Sequence, residues 1–343
     1  MCPIPDRLRA SVHIMTRARL WSVITALIGV SLFTLTIAWF GWAGVVRALS
    51  AVRVSDFIAY LGVQAVIVAG LAVAWRMVLR SRRGGRFLLL YWGRLVRDAA
   101  GEFLPFSHVG GFILGGRAIA LGGVAFADAA ASTLADVTIE FLSELVFISV
   151  GLVLLATLVP NNQLVMPVAL GLMMAVLGGV GFIFAQKGGS RIFRALALRI
   201  AGRSGDQVAM RADHLQAALD AIYAQPRRLA GAGVMHLLCW FGTGCASFVA
   251  FRAFGTPISI WQAVSIEALL HAILAAGFFV PGRIGVQEAA YALLGTAFGL
   301  PPDIALSVSL LRRARDLIVA VPVLLIWQGI EARRLQPLSS EAR

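Results

Sequence analysis

Seven stretches of this chain, 20–40, 57–79, 130–159, 165–185, 229–254, 261–280 and 303–327, are apolar over roughly the 20 residues that a membrane-crossing helix needs. No water reaches the hydrocarbon interior, so backbone N–H and C=O groups there must be satisfied within the chain itself. Open sheets and lipid-exposed coil are thereby excluded. The fold class that remains is all-α: a polytopic integral membrane helical bundle. Composition agrees, with 59% of the 343 residues hydrophobic and 14% charged. A soluble domain carries about 25% charged residues. A weaker run at 87–104, interrupted by Arg94, Arg97, Asp98 and Glu102, brings the expectation to about eight transmembrane helices.

Two further segments, 106–123 and 282–300, are apolar and rich in Gly and Ala. Each follows a break with the pattern Gly-x-Phe-aliphatic-Pro. One is Gly101-Glu102-Phe103-Leu104-Pro105, the other Gly277-Phe278-Phe279-Val280-Pro281, 176 positions further on. The same offset maps 57–79 onto 233–255, Asp136 onto Arg312 and Glu140 onto Asp316. The chain therefore reads as one membrane domain, 1–343, built from an internal duplication: repeat 1 over about 57–159 and repeat 2 over about 229–330. Broken segments meeting near the bilayer midplane are a common transporter design.

Loop charge orients the bundle. Arg7, Arg9, Arg17 and Arg19 place the amino terminus in the cytoplasm, and Arg80, Arg82, Arg83 and Arg86 place the end of run 57–79 there. The basic loop 186–228 belongs on the same side, and the neutral hairpin Pro160-Asn161-Asn162-Gln163 on the other. These assignments agree only if 106–123 counts as a crossing, which makes runs 57–79 and 229–254 point in opposite senses and the repeat inverted. If both post-proline segments re-enter instead, those two runs are parallel and the basic loop lies outside. We adopt the first version, with both termini cytoplasmic. Run 20–40, with Trp39-Phe40-Gly41-Trp42 at its end, is read as a retained first helix and not a cleaved signal peptide.

A formal charge of +13 raises the question of nucleic-acid binding, but the basic residues lie in short clusters between apolar runs, which argues against it. That distribution suits loops facing anionic lipid. Within the loop, Leu215, Leu219 and Ile222 recur at helical spacing over 210–223. This predicts an amphipathic helix, lying on the membrane or serving as a solvated connector. Cys2, Cys239 and Cys245 make neither a disulfide framework nor a zinc set, and the last two are read as small core residues. The glycine pairs 110–111, 115–116 and 122–123 suit close helix packing. They lack the Lys-Ser/Thr of a phosphate-cradling loop.

An ionisable group at the centre of a spanning helix costs about 2.5–3.5 kcal/mol on insertion scales, and such groups normally face a bundle interior or a wet cavity. Asp136, Glu140 and Glu144 recur at i, i+4 and i+8 on one helix face, and need cations from Arg94, Arg97, Arg283 or the Arg312, Arg313, Arg315 cluster. Asp316 can hold one of that cluster. Glu267 and His271 form another i, i+4 pair. Arginine forks bind phosphate or carboxylate bidentately. The expected cavity residues are Glu102, Pro105, Arg117, Glu140, Glu144, Pro281, Arg283, Glu288, Arg312 and Asp316. The arginines would meet a head group, and the carboxylates would balance them or carry protons. No hydrolase, zincin or nucleotide-binding signature is present, so the chain is expected to be no enzyme and to need no cofactor or metal.

The segment Gly101–Gly111, Gly-Glu-Phe-Leu-Pro-Phe-Ser-His-Val-Gly-Gly, followed by Arg117, and Pro-Gly-Arg-Ile-Gly-Val-Gln-Glu-Ala at Pro281–Ala289 resemble the two signature segments of the lysylphosphatidylglycerol synthase transmembrane-region family. The second motif often reads Pro-Gly-Gly-x-Gly-x-Arg-Glu-Ala, so this chain differs at Arg283 and Gln287, and it has Phe112 where the first motif often has Glu. The resemblance runs from Leu20 to about Trp327 and implies a flippase-like membrane protein without the aminoacyl-transferring soluble domain. The Glu-Phe-Leu-Pro-Phe-Ser form and the stand-alone length resemble the branch associated with hopanoid biosynthesis in bacteria. That implies a bacterial inner membrane location and membrane lipids (a hopanoid, phospholipid or prenyl-lipid) as partners. The alternative is a non-catalytic scaffold that recruits lipid-synthesis enzymes through the basic loop.

Overall fold

The structure is a computed structural model that describes residues 46, 50–80, 86–103, 107–181, 205–276, 283 and 285–335. The predicted helix at 20–40, both break prolines (Pro105 and Pro281) and the stretch 186–204 of the basic loop lie outside the described residues. Among the described residues there are ten helices and no strand. They are α1 Val54–Val78, α2 Phe87–Phe103, α3 Ser107–Leu121, α4 Phe126–Leu158, α5 Val165–Gly181, α6 Gly205–Tyr223, α7 Pro226–Ala253, α8 Ile260–Ala276, α9 Val286–Ala297 and α10 Pro302–Leu335. Of these, α1, α4 and α7 are long and apolar enough to cross a membrane, while stretches of α3, α5 and α8 are apolar but shorter. Helix α10 has the length, but carries Arg312, Arg313, Arg315 and Asp316. The protein is a multi-pass helical membrane protein.

Local chemistry sets the helix ends. Gly123 adopts φ 101° just after α3, and its N–H and that of Val124 close onto the carbonyls of Ala120 and Ile119. Pro226 opens α7 at a position where its missing N–H costs nothing. At the start of α9, Glu288 reaches back to accept a hydrogen bond from the Gly285 N–H at 2.9 Å.

Helices α1 and α7 form the centre of the bundle. Gly70 abuts Cys239, Gly242 abuts Ile67 and Gly231 lies near Met77, so rising positions on one helix meet falling positions on the other. The two helices equated by the 176-residue offset are therefore antiparallel. The version with two re-entrant segments would make them parallel. Helices α2 and α3 are also antiparallel, with Gly93 against Ile119, Gly115 against Arg97 and Gly122 against Leu89. The chain thus returns along α2 after the first break. Exchange contacts relate the halves: α4 packs on α8, and α10 packs on α2.

Two apolar cores flank the centre. One joins Ile67, Phe251, Leu269, Tyr291 and Leu311. The other joins Trp75, Leu90, Ile119, Ala135 and Leu219. Val66, Met174, Leu238 and Leu325 face outward, as side chains against lipid would.

Two readings from the sequence need correction. The apolar stripe of α6 faces neither lipid nor water. Leu219 and Ile222 are buried in the core against α4 and α7, with Leu215 half-buried beside them, so packing on apolar side chains of the bundle removes the stripe from water. Cys239 is a core residue as expected, but Cys245 is exposed on the outer side of α7.

The glycines of the first break permit the close approach of α2 and α3. A Cβ on Gly111 would stand 2.5 Å from the Arg97 carbonyl oxygen and 3.0 Å from the Gly101 nitrogen. Both are backbone atoms, so no rotamer change relieves the clash. Gly111→Ala is expected to destabilise the protein by about 1–3 kcal/mol. Gly62→Ala, where nothing lies within 4 Å of the added Cβ, should be neutral or slightly stabilising. Thermal unfolding in detergent compares the two, and equal melting would refute tight backbone packing at the hairpin.

Candidate functional site

A cavity of about 690 Å³ lies between α1, α2, α4, α5, α7, α8 and α10. Five arginines (Arg94, Arg97, Arg283, Arg312 and Arg315) and six carboxylates (Asp98, Glu102, Glu140, Glu144, Glu267 and Asp316) line it, together with apolar walls such as Ile67, Leu71, Leu274 and Val319. The size is that of a small-molecule or head-group site.

The charges form two clusters. In the first, α2 answers the acidic stripe of α4. Arg94 donates to both oxygens of Glu140, at 3.0 and 2.5 Å, and its Nε donates to Asp98 at 3.0 Å. Arg97 donates to Asp136 Oδ2 at 2.6 Å and also to Glu140. The other Asp136 oxygen meets His236 Nε2 at 2.9 Å, and Asp136 is completely enclosed. The face of Arg97 lies on the Phe112 ring, 4.7 Å from its centroid, an arrangement in which the ring quadrupole attracts the cation.

In the second cluster the signs are reversed. Arg312 on α10 donates to Glu267 on α8, whose other oxygen accepts from Tyr291 at 3.1 Å. Arg315 donates to Asp316 at 2.6 Å, and its other terminal nitrogen donates to Tyr60 and Gln64, each at 3.1 Å. His271 stands between Glu144, 3.4 Å from its Nδ1, and Glu267, 3.5 Å from its Nε2. Trp240 packs on the same imidazole in an edge-on contact and donates from its indole N–H to the Glu140 carbonyl at 3.3 Å.

The 176-residue offset read from the sequence relates the two clusters. It equates Tyr60 with His236 and Gln64 with Trp240. Tyr60 and Gln64 hold Arg315, while His236 and Trp240 hold Asp136 and the Glu140 backbone. Equivalent positions thus support opposite charges across the cavity.

Of the residues expected from sequence, Glu102, Glu140, Glu144, Arg283, Arg312 and Asp316 line this cavity. Arg117 and Glu288 do not. Arg117 is half-exposed and makes a bidentate pair with Glu331 at 2.7 and 2.8 Å, because the period of α3 turns it outward from α2. Glu288 is claimed by the α9 N-terminus and by Arg313 at 3.4 Å. Sequence reasoning did not place Glu267, His271, Arg315, Gln64 or Trp240 at the cavity, although the Glu267–His271 spacing singled that pair out. Arg283 has φ 50°, a region that costs a side-chain-bearing residue about 1–2 kcal/mol.

These features define a polytopic all-helical membrane protein with a charged cavity assembled from both halves of the chain. The family model described as lysylphosphatidylglycerol synthase TM region matches residues 22–323, and the chain belongs to that family. Its function accordingly concerns membrane lipids. No curated protein and no solved structure matches the chain.

Proposed function

We propose that the protein is a lipid transporter of the flippase type in the bacterial inner membrane, moving a hopanoid, a related lipid or a lipid precursor between leaflets without altering it covalently. The observation that carries this reading is the cavity. Its charged groups come from both repeats, its walls are apolar, and its size suits a head group with the first part of its chains. An inverted repeat around such a site offers two equivalent conformations, one open to each leaflet. The hopanoid assignment rests on the resemblance of the Glu-Phe-Leu-Pro-Phe-Ser break.

Reconstitution into liposomes tests the proposal. The protein should accelerate leaflet exchange of at least one fluorescent hopanoid, phospholipid or prenyl-lipid above the rate in protein-free vesicles. Glu144, paired with His271 at the cavity wall, should matter without being needed for folding. Glu144→Gln is expected to slow exchange by about tenfold, the value of one charge-assisted contact, at unchanged melting temperature. If no lipid of the three classes exchanges faster than in empty vesicles, the transporter reading fails.

A further inference from the structure

We infer that Glu144 and His271 form a proton-binding pair through which lipid movement is coupled to the movement of a proton across the membrane. The inference rests on the transporter reading and deepens it by naming what moves with the lipid. Glu144 lies on α4 and His271 on α8, one helix from each half of the chain, and both line the cavity.

The imidazole stands between two acceptors. Its Nδ1 lies 3.4 Å from Glu144 and its Nε2 3.5 Å from Glu267, so each ring nitrogen faces a carboxylate oxygen. An imidazolium carries an N–H on both nitrogens, a neutral imidazole on one only. Only the protonated ring can donate in both directions, and loss of the proton turns a lone pair toward one of the carboxylates. Both distances stand at the outer limit of a hydrogen bond, and among the described residues the buried Nε2 closes none. The two carboxylates are not equivalent. Glu267 is bound by Arg312 and accepts from Tyr291 whatever the state of the ring. Glu144 has no arginine: among the described residues, His271 is the one basic group paired with it.

The other charged groups around the ring are already engaged. On α4, Glu140, one turn before Glu144, is held by Arg94 and Arg97. Helix α7 presents the edge of Trp240 and turns its buried His236 to Asp136. Helix α9 contributes the Tyr291 hydroxyl and α10 the Arg312 guanidinium, both on Glu267, while Arg315 and Asp316 of α10 pair with each other. At the Glu144–His271 pair, therefore, a proton is gained or lost without opening an arginine–carboxylate bridge. An imidazole ordinarily changes charge between about pH 5 and 8. Water in the cavity can reach the pair, since the Glu144 side chain is 21% and that of His271 12% exposed.

Placement across two helices supplies the coupling. The Glu267 contact lies within α8 at i, i+4 and moves with that helix. The Glu144 contact crosses to α4, so a rocking of one half of the bundle against the other changes it alone. The pair then holds its proton with different affinity in the two conformations, and such a difference is what lets a bound species shift a conformational equilibrium. In each cycle one proton passes from the water on one side to the pair, and from the pair to the water on the other. No covalent bond of the lipid changes.

Proteoliposomes under an imposed pH gradient test the coupling. The probes are a fluorescent hopanoid, phospholipid and prenyl-lipid placed in both leaflets, with the membrane potential clamped and protein-free vesicles as the reference. An uncoupled flippase only brings a lipid to equal leaflet populations. A protein that moves one proton per lipid should hold its lipid about tenfold enriched in one leaflet per unit of pH gradient. An ionophore that collapses the gradient should erase that asymmetry. His271→Gln and Glu144→Gln should both lose the asymmetry while still equilibrating the lipid. The Glu144→Gln protein is expected to melt with the wild type, so its result stands even where His271→Gln unfolds. His214→Gln, which alters an exposed histidine on α6, should keep the asymmetry. Lipid that exchanges yet stays evenly distributed under the gradient would overturn the inference and leave the transporter reading standing. Asymmetry that survives in Glu144→Gln or in a folded His271→Gln, or disappears in His214→Gln, would overturn the assignment to this pair. If no lipid exchanges faster than in protein-free vesicles, the transporter reading fails and the coupling falls with it.

Discussion

Asp136→Ala is expected to be among the most damaging single substitutions, costing about 3–5 kcal/mol, as removal of one partner from a buried ion pair does. Asp136 is fully enclosed and accepts from Arg97 at 2.6 Å and from His236 at 2.9 Å. Without it, Arg97 and Arg94 would share Glu140, with Asp98 reached only by Arg94. A second buried guanidinium would then lack most of its compensation. Asp136→Asn should cost nearly as much, since it keeps the shape but removes the charge. Arg97→Met combined with Asp136→Leu should be milder than Asp136→Ala alone, because deleting both charges also removes their desolvation penalty. Thermal or denaturant unfolding in micelles gives the comparison. An Asp136→Ala protein that melts with the wild type would mean that the cluster admits water and is not sealed.

Much of this arrangement was legible in the sequence because lipid penalises charge so heavily. The i, i+4, i+8 stripe of Asp136, Glu140 and Glu144 had to face protein, and the nearest basic residues were Arg94 and Arg97, which the structure brings to the first two. The offset that equates 57–79 with 233–255 likewise marked α1 and α7, and loop charge implied their opposed directions. What failed did so where a local signal competes with a tertiary one. Glu288 sits in the motif after the second break, but three residues past Gly285 a glutamate serves the helix N-terminus first. Arg117 follows the first motif, yet half a turn of α3 separates it from the Gly111–Gly115 face on α2 and sets it opposite Glu331. Tyr60, Gln64 and Trp240 escaped notice for another reason. A single polar or aromatic residue in an apolar run does not reveal which neighbouring helix it will meet. The 176-residue offset held a usable signal, since it equates Tyr60 with His236 and Gln64 with Trp240, but it becomes meaningful only once α10 and α4 are known to lie against them.

The second cluster permits an experiment that separates folding from transport. Arg312→Ala leaves Glu267, 1% exposed, with only the Tyr291 hydroxyl and the edge of His271 to meet its charge, and should cost about 3–5 kcal/mol. Arg312→Met with Glu267→Leu removes both charges, and Tyr291→Phe removes the hydroxyl that would otherwise lose its acceptor. That triple variant is expected to melt close to wild type, since an apolar replacement of a buried pair is often neutral or stabilising. Leaflet exchange should nevertheless stay absent in it. Arg312 and Glu267 both line the cavity, and their charges set the polarity opposite to the Arg94–Arg97–Asp136–Glu140 cluster. A transporter that uses both clusters in turn, one for each open conformation, needs that polarity and not merely a filled core. If exchange returned along with the melting temperature, the pair would be a structural clasp, and head-group handling would have to be sought on the α2 and α4 side alone.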